Sequence, residues 1–254
     1  MPCLLAAAIA ELDGLLEPQA FHDYGPNGLQ VPGREEIAKV CTGVSASAEL
    51  FERAVAKDAG LIVVHHGLFW GSSLAAIDRT MKHRLKLLFD ADVSLAAYHL
   101  PLDAHPRVGN NALIAHALGA EELQPFALHE TRPIGFIASF PHDGVPAEDL
   151  FARVATLTAR EPLVFDAGPP RVRSVAIVSG GGSQYLSDAA LAGADAFITG
   201  EPTERVMSQA HESSIHFIAA GHYATETFGV KHLGEHLRER FDVEHEFIDV
   251  PNPI

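Results

Sequence analysis

Cysteine is almost absent from this chain. Its 254 residues include two cysteines, Cys3 and Cys41, and no Cys-x-x-Cys spacing, which excludes a disulfide framework and a thiolate metal site. Such a low cysteine content is typical of proteins in a reducing compartment. No apolar stretch reaches the roughly 18 residues that cross a bilayer, and no basic residues precede the short apolar stretch at 4–9, so no signal peptide is predicted. We therefore expect a cytoplasmic protein with no membrane partner.

Basic residues are also scarce. The chain has 18 Lys and Arg against 33 Asp and Glu, which gives a formal net charge of −15. The negative electrostatic potential that results repels polyanions such as nucleic acids. Because no cluster of Lys and Arg in the sequence offsets it, a nucleic-acid partner is not expected. Histidine, by contrast, occurs 15 times, and several histidines follow apolar runs. They are the first candidates for a functional site.

Short runs of strand-forming residues alternate with helical patterns along the chain. Residues 39–44 and 61–64 are predicted strands, and the apolar residues of 48–57 recur at helical spacing between them. Alternation of this kind indicates an α/β fold with much parallel pairing.

An internal repeat is predicted within this pattern. The strand–turn–helix–strand unit at 39–66 aligns without gaps on the unit at 174–201, and the next strand of each half ends in His-x-x-x-carboxylate. These two endings are His99 with Asp103, and His222 with Glu226. We therefore predict two related α/β halves, with mixed sheets flanked by helices, and a small inserted lobe at 126–170. The predicted domains are a metal-binding α/β domain (1–125 and 220–254) and a second α/β lobe (126–219) that includes the insert.

Candidate metal ligands follow three of the predicted strands. His65 and His66 end a buried strand, Asp103 follows a second strand, and His222 and Glu226 follow a third. Ligands collect beyond the carboxyl ends of strands in parallel α/β sheets. Taken singly, each feature also has a structural explanation: a core histidine beside a surface one, a turn aspartate, or a helix cap followed by a first-turn acid.

The chemistry of these donors narrows the choice of metal. Three imidazoles and two carboxylates suit Zn, Mn, Fe, Co or Ni, and suit Mg and Ca less, because those ions favour oxygen. Five ligands are more than one tetrahedral ion needs. The sequence therefore predicts two divalent metal ions per chain, with carboxylates able to bridge them.

Several motifs resemble the NIF-three-like family, whose members are also named GTP cyclohydrolase 1 type 2. The matching stretches span nearly the whole chain; they are Asn27-Gly28-Leu29-Gln30, His65-His66-Gly67-Leu68-Phe69-Trp70-Gly71, Tyr98-His99-Leu100-Pro101-Leu102-Asp103-Ala104-His105, Ile198-Thr199-Gly200-Glu201, Gly221-His222-Tyr223-Ala224-Thr225-Glu226 and Asp249-Val250-Pro251-Asn252-Pro253. The resemblance implies that His65, His66, Asp103, His222 and Glu226 bind a dinuclear metal centre. It also implies a toroidal homohexamer.

Two further residues are candidates for a role beside the metals. His99 and Glu201 could orient a ligand imidazole or transfer a proton, or have a purely structural role. Glu201 begins the stretch Glu201-Pro202-Thr203-Glu204-Arg205, where many relatives have Asp-Ile-Lys-Tyr-His. The substrate of relatives therefore does not transfer directly to this chain.

These features together predict a metal-dependent hydrolase-like protein with a small-molecule substrate. The resemblance gives the specific form of this hypothesis, which is GTP cyclohydrolase-type or related hydrolysis of nucleotides or cyclic amides. The alternative is a non-enzymatic ring that binds or delivers metal and interacts with other proteins. The glycine turn at 180–182 could cradle a phosphate or simply form a tight strand-to-helix turn.

Overall fold

The computed structural model describes residues 3–71 and 76–254. The strands are β1 (Cys3–Leu4), β2 (Gly28–Val31), β3 (Glu36–Ile37), β4 (Lys39–Ser45), β5 (Leu61–His66), β6 (Ser94–Ala97), β7 (Glu121–His129), β8 (Arg132–Ser139), β9 (Val145–Pro146), β10 (Leu163–Phe165), β11 (Arg171–Val172), β12 (Ser174–Val178), β13 (Ala196–Thr199), β14 (His216–Ala219) and β15 (Glu244–Phe247). The helices are α1 (Leu5–Leu16), α2 (Ala48–Ala56), α3 (Arg79–Asp90), α4 (Leu100–Ala104), α5 (Asn110–Leu118), α6 (Ala147–Thr158), α7 (Leu186–Leu191), α8 (Val206–Ser213), α9 (His222–Thr225) and α10 (Thr227–Phe241). None of these helices combines the length and the apolar character that spanning a membrane requires.

The chain forms two compact units. Unit 1 comprises Met1–Leu102 and Gly229–Pro251, and unit 2 comprises Asp103–Phe228 and Asn252–Ile254. These units begin and end at other residues than the predicted domains, whose boundaries at 125/126 and 219/220 stay a prediction.

Unit 1 contains a five-stranded sheet with the order β15-β4-β5-β6-β2. The first four strands run parallel, and β2 pairs antiparallel with β6 at the edge. The carboxyl ends of β4, β5 and β6 therefore lie at one edge of the sheet. His66 ends β5 opposite Ser45 of β4, and His99 follows β6 after one intervening residue.

The core of unit 1 explains why 61–64 reads as a continuous apolar run. All four side chains are fully buried, as is typical of a central strand covered on both faces. Helix α2 begins after Ser47, whose side chain accepts a hydrogen bond from the Leu50 N–H. Leu50 and Phe51 of α2 pack into one cluster with strand residues such as Ile62.

Unit 2 contains a six-stranded sheet with the order β10-β14-β13-β12-β8-β7. Strands β12, β13 and β14 run parallel in its centre, and β10, β8 and β7 are antiparallel. The segment 126–170 supplies β8, β10 and part of β7 to this sheet, and its short strand β9 pairs with β11 in a separate two-stranded sheet. Ser179, Glu201 and His222 come soon after the ends of the three parallel strands, which brings them to one edge.

Helices α5 and α6 cover one face of this sheet. Their buried residues, among them Ile114 and Leu150, form one cluster with Val175, Ile177 and Ile198 of the central strands. The predicted α/β class, with mixed sheets flanked by helices, is confirmed. The common origin of the two halves stays a prediction.

The thiol of Cys41 is expected to be unreactive in the folded protein. Cys41 is fully buried in β4, and burial raises the pKa of its thiol to about 11. Because only the thiolate reacts, roughly one thiol in a thousand is reactive at pH 8. Peptide mass spectrometry after iodoacetamide treatment should find Cys41 unmodified in native protein and modified in denaturant. Equal labelling under both conditions would show that this part of the sheet opens readily.

Candidate metal centre

His65 and His66 lie together at the carboxyl end of β5. Neighbouring strand residues normally point to opposite faces, yet these two ring centroids are 4.8 Å apart. The chain leaves strand geometry directly afterwards, at Gly67. A Cβ at this position would overlap the Gln30 amide, whose Oε1 accepts a hydrogen bond from the Leu68 N–H. The glycine therefore lets the chain turn closely against Gln30.

Each of these imidazoles is held through its Nδ1 atom. His65 Nδ1 lies 2.9 Å from the carbonyl oxygen of Tyr98, and His66 Nδ1 lies 3.0 Å from Ser45 Oγ. A carbonyl oxygen only accepts hydrogen bonds, so His65 donates from Nδ1 and its Nε2 carries the lone pair in the neutral ring. A partner of this kind fixes the tautomer and orientation of a metal-ligating histidine.

His99 lies beside these rings and is paired with a buried aspartate. Its Nδ1 is 2.7 Å from Asp23 Oδ1, and its ring centroid is 4.8 Å from that of His65 and 5.6 Å from that of His66. Burial alone would raise the pKa of Asp23, but hydrogen bonds from His99, Asn27 and the Leu100 N–H outweigh it and hold this pKa below its usual value. Asp23 is therefore an ionised acceptor for His99.

Asp103 is a buried carboxylate of unit 2. It is 6% exposed, and its Oδ1 accepts hydrogen bonds from Asn110 Nδ2 at 2.8 Å and from Ser179 Oγ at 2.9 Å. Two neutral donors on one oxygen fix the orientation of the carboxyl group.

His222 lies between two carboxylates of unit 2. Its Nε2 is 3.1 Å from Glu226 Oε1, and its Nδ1 is 2.9 Å from Glu201 Oε1. Burial alone would lower the pKa of His222, but Glu226 and Glu201 outweigh it and raise this pKa to about 9. Helix α9 begins at His222 and ends before Glu226, which brings the two side chains to the same place.

The glycine turn at 180–182 has a structural role. The Gly180 N–H donates to Thr225 Oγ1 and the Gly182 N–H donates to Thr199 Oγ1, each at 3.0 Å. These amides are therefore engaged and do not form a phosphate cradle. Gly180 also has a φ of +60° and contacts the His222–Glu226 pair so closely that a Cβ would overlap Glu226 Oε1.

A cavity of about 390 Å³ in unit 2 adjoins Glu201. Its walls include Arg160, Glu201 and Gly221 and the chain end at Pro253 and Ile254. Arg160 Nη1 donates to the Pro253 carbonyl at 2.8 Å. The cavity falls within the size range of small-molecule sites, and it offers a cationic and an anionic group next to the partner of His222.

One family model matches almost the whole chain. The profile described as DUF34/NIF3 (NGG1p interacting factor 3) matches residues 4–253. The chain belongs to the DUF34/NIF3 family. A relative from Pseudomonas aeruginosa, named "GTP cyclohydrolase 1 type 2 homolog", is 44% identical over 254 residues and covers 100% of both chains. The predicted resemblance is thereby confirmed.

Solved structures of DUF34/NIF3-like chains share this fold. The structure of protein ybgI, described as of unknown function, has a TM-score of 0.91 at 40% identity and covers 100% of both chains. A crystal structure of a Thermus thermophilus protein has a TM-score of 0.90 at 38% identity and covers 99% of this chain and 100% of that one.

Each unit of this DUF34/NIF3 protein brings some of the predicted residues together. His65, His66 and His99 cluster in unit 1, and His222, Glu226 and Glu201 cluster in unit 2 with Asp103 as a further buried carboxylate. Sequence reasoning missed the residues that orient these donors, chiefly Asp23, Ser45, Asn110 and Ser179. No motif marks them, since each supplies only a polar atom from a loop or an element end.

Proposed function

We propose that this protein is a metal-dependent hydrolase that holds two divalent ions on His65, His66, Asp103, His222 and Glu226. The observation that carries the proposal is His222, which has a carboxylate at each ring nitrogen. One carboxylate orients the ring and the other stands beside the remaining nitrogen, which is the arrangement of a ligating histidine with its supporting acid.

The proposed donor atoms suit a divalent first-row transition metal or zinc. Imidazole nitrogen and carboxylate oxygen are the ligands that Zn, Mn, Fe, Co and Ni share. Asp103 and Glu226 are 6% and 3% exposed, and buried carboxylates need cationic or hydrogen-bonding partners. Bound ions supply Lewis-acid activation of water and of a carbonyl or phosphoryl oxygen.

The chain's own residues have distinct roles in this proposal. Glu201 holds the His222 ring through Nδ1 and borders the cavity, so it is placed to accept a proton there. Arg160 offers guanidinium N–H groups at the same cavity to an anionic or carbonyl group of the substrate. The name of the relatives makes GTP the first substrate to test, followed by other nucleotides and cyclic amides. The ring of six chains remains part of the proposal.

Removal of one carboxylate tests the metal ligands. Glu226→Gln keeps the shape of the side chain and removes its charge, so we expect roughly 10–100-fold weaker binding of at least one ion per chain. Glu212→Gln, on the exposed side of α8, is the matched control and should bind as wild type does. Elemental analysis after dialysis against zinc or manganese measures both. Equal metal content in the two variants would contradict the assignment of Glu226.

A turnover assay distinguishes the hydrolase proposal from the metal-delivery alternative. Wild type and Glu226→Gln would be compared on GTP, other nucleotides and cyclic amides with Mn, Zn, Co and Fe. The hydrolase proposal requires at least one substrate that wild type hydrolyses faster than Glu226→Gln does. If there is none, and bound metal passes quickly to an apo-acceptor protein, the metal-delivery alternative replaces it.

A further inference from the structure

The single tryptophan of this chain is exposed next to a proposed metal ligand. Trp70 is the only tryptophan in the sequence, and it is 47% exposed. Tryptophan side chains are highly buried on average, because the indole is large and mostly apolar. The Trp70 ring centroid lies 5.7 Å from that of His66. Packing in the core of unit 1 therefore does not account for this side chain.

The ring of His99 supports Trp70. The two ring centroids are 5.3 Å apart and the ring planes meet at 84°, which is the edge-to-face arrangement that aromatic pairs favour. His99 is itself held in place, because its Nδ1 lies 2.7 Å from Asp23 Oδ1. The other oxygen of Asp23 accepts hydrogen bonds from Asn27 Nδ2 and from the Leu100 N–H. Trp70 therefore packs against a rigid neighbour.

The backbone on both sides of Trp70 is also held. The Gly71 N–H donates a hydrogen bond to the carbonyl oxygen of Tyr24, and Gly25 approaches the Phe69 carbonyl so closely that a Cβ would overlap it. The ring of Tyr24 lies 5.9 Å from that of His99, and Tyr24 is 52% exposed. Two exposed aromatic rings of unit 1 thus pack against the same imidazole.

An exposed indole that is held in place suits a flat aromatic ligand. A nucleic-acid base stacks on an aromatic side chain through its face, and this contact needs no hydrogen bond. Because its neighbours already fix the indole, little side-chain freedom is lost on binding. A nucleotide offers such a ring, whereas a saturated cyclic amide does not. The exposed indole therefore favours nucleotides among the substrates of the proposed function.

We propose that Trp70 binds the purine base of a nucleotide by stacking and that it determines this substrate class. The inference rests on the proposed function, because it concerns the same site, but its test needs no hydrolysis. A purine covers more of the indole than a pyrimidine does, so purine nucleotides should bind more tightly. In this arrangement His99 holds Trp70 in position.

The fluorescence of the protein reports on Trp70 alone, because the chain has no other tryptophan. Wild type with added zinc is titrated with GMP, CMP and ribose phosphate. We expect saturable quenching by GMP, weaker quenching by CMP and none by ribose phosphate. N-acetyltryptophanamide is titrated in parallel, because it shows the quenching that random collisions produce. If GMP quenches the protein no more than it quenches this compound, the inference is wrong.

Substitutions of Trp70 test the contribution of the ring to affinity. We expect Trp70→Ala to bind GMP about 5–150-fold more weakly than wild type in equilibrium dialysis, which is the usual effect of removing a stacked aromatic side chain. Trp70→Phe keeps an aromatic face and should lose less. Phe89→Ala, which removes another exposed aromatic ring from α3, is the matched control and should bind as wild type does.

The outcomes separate this inference from the proposed function. If Trp70→Ala and wild type bind GMP with equal affinity, the inference fails, while metal binding and hydrolysis of another substrate class still stand. Equal affinity of wild type for GMP and ribose phosphate also overturns it, because the base then contributes nothing. If Glu226→Gln keeps its metal while GMP still quenches Trp70, the proposed function fails and a nucleotide site remains. If circular dichroism shows that Trp70→Ala is unfolded, the quenching of wild type decides.

Discussion

Gly180→Ala is expected to abolish metal binding by unit 2 although it removes no ligand. A Cβ on Gly180 would overlap Glu226 Oε1 and lie 3.0 Å from His222 Nε2. Both proposed donors would have to move, so the loss should exceed the roughly 10–100-fold effect of disturbing a supporting residue. We expect zinc affinity at that site to fall by more than about 100-fold, measured by equilibrium dialysis.

Gly193→Ala is the matched control for backbone strain. Gly193 has a φ of +80°, close to the +60° of Gly180, but apart from its chain neighbours no atom of the described residues lies within 4 Å of its Cβ position. Either substitution lowers the free energy of unfolding by about 1–2 kcal/mol, because alanine is strained in the left-handed conformation. Only in Gly180→Ala does the added Cβ also overlap a proposed metal donor. If the two variants bind zinc equally well, His222 and Glu226 are not ligands.

Gly234→Ala is expected to destabilise unit 1 by roughly 2–4 kcal/mol, although the replacement of a helical glycine by alanine normally stabilises a protein. Gly234 lies within α10, and a Cβ there would overlap the imidazole of His245. This ring is held by Thr42 Oγ1 at 2.9 Å and by Glu235 Oε1 at 2.7 Å. Displacement of the ring breaks two hydrogen bonds, which contribute about 1 kcal/mol each to stability. The overpacking costs about 1–3 kcal/mol more. The higher helix propensity of alanine offsets about 1 kcal/mol of this loss.

Gly14→Ala provides the opposite case in the same unit. Gly14 lies in α1, and outside the backbone of that helix no atom in the described part of the chain is within 4 Å of its Cβ position. Helix propensity then acts alone, and the free energy of unfolding should rise by about 0.5–1 kcal/mol. Urea denaturation followed by circular dichroism measures both variants. A Gly234→Ala protein as stable as Gly14→Ala would show that His245 has room to move.

The candidate donors could be chosen from the sequence because they follow the ends of predicted strands. The buried run 61–64 fixed where β5 stops, and therefore where His65 and His66 lie. His222 and Glu226, four residues apart, follow a third predicted strand. Helix α9 begins at His222, and the two side chains are 3.1 Å apart. Periodicity and spacing are local, so they identify features of this kind.

The orienting residues could not be found in the same way. Asp23 is 76 residues from His99 and Ser179 is 76 from Asp103, and each only has to supply one polar atom at the right point. Many loop residues could do so, and only the folded chain shows which of them do. The glycine turn at 180–182 was similarly open, because its amides could face a phosphate or a threonine until the threonines were placed.

The pairing of β15 with β4 has a consequence for the order of folding. These strands pair in parallel, with Glu244 opposite Lys39, so the sheet of unit 1 stays incomplete until the ribosome has passed residue 247. During that time β4, whose residues 40–44 are all buried in the finished protein, is an unprotected edge strand. Such edges recruit strands from other chains. Nascent chains that stall before residue 244 are therefore expected to aggregate through β4, and a chaperone that covers apolar edges should raise the yield of folded protein.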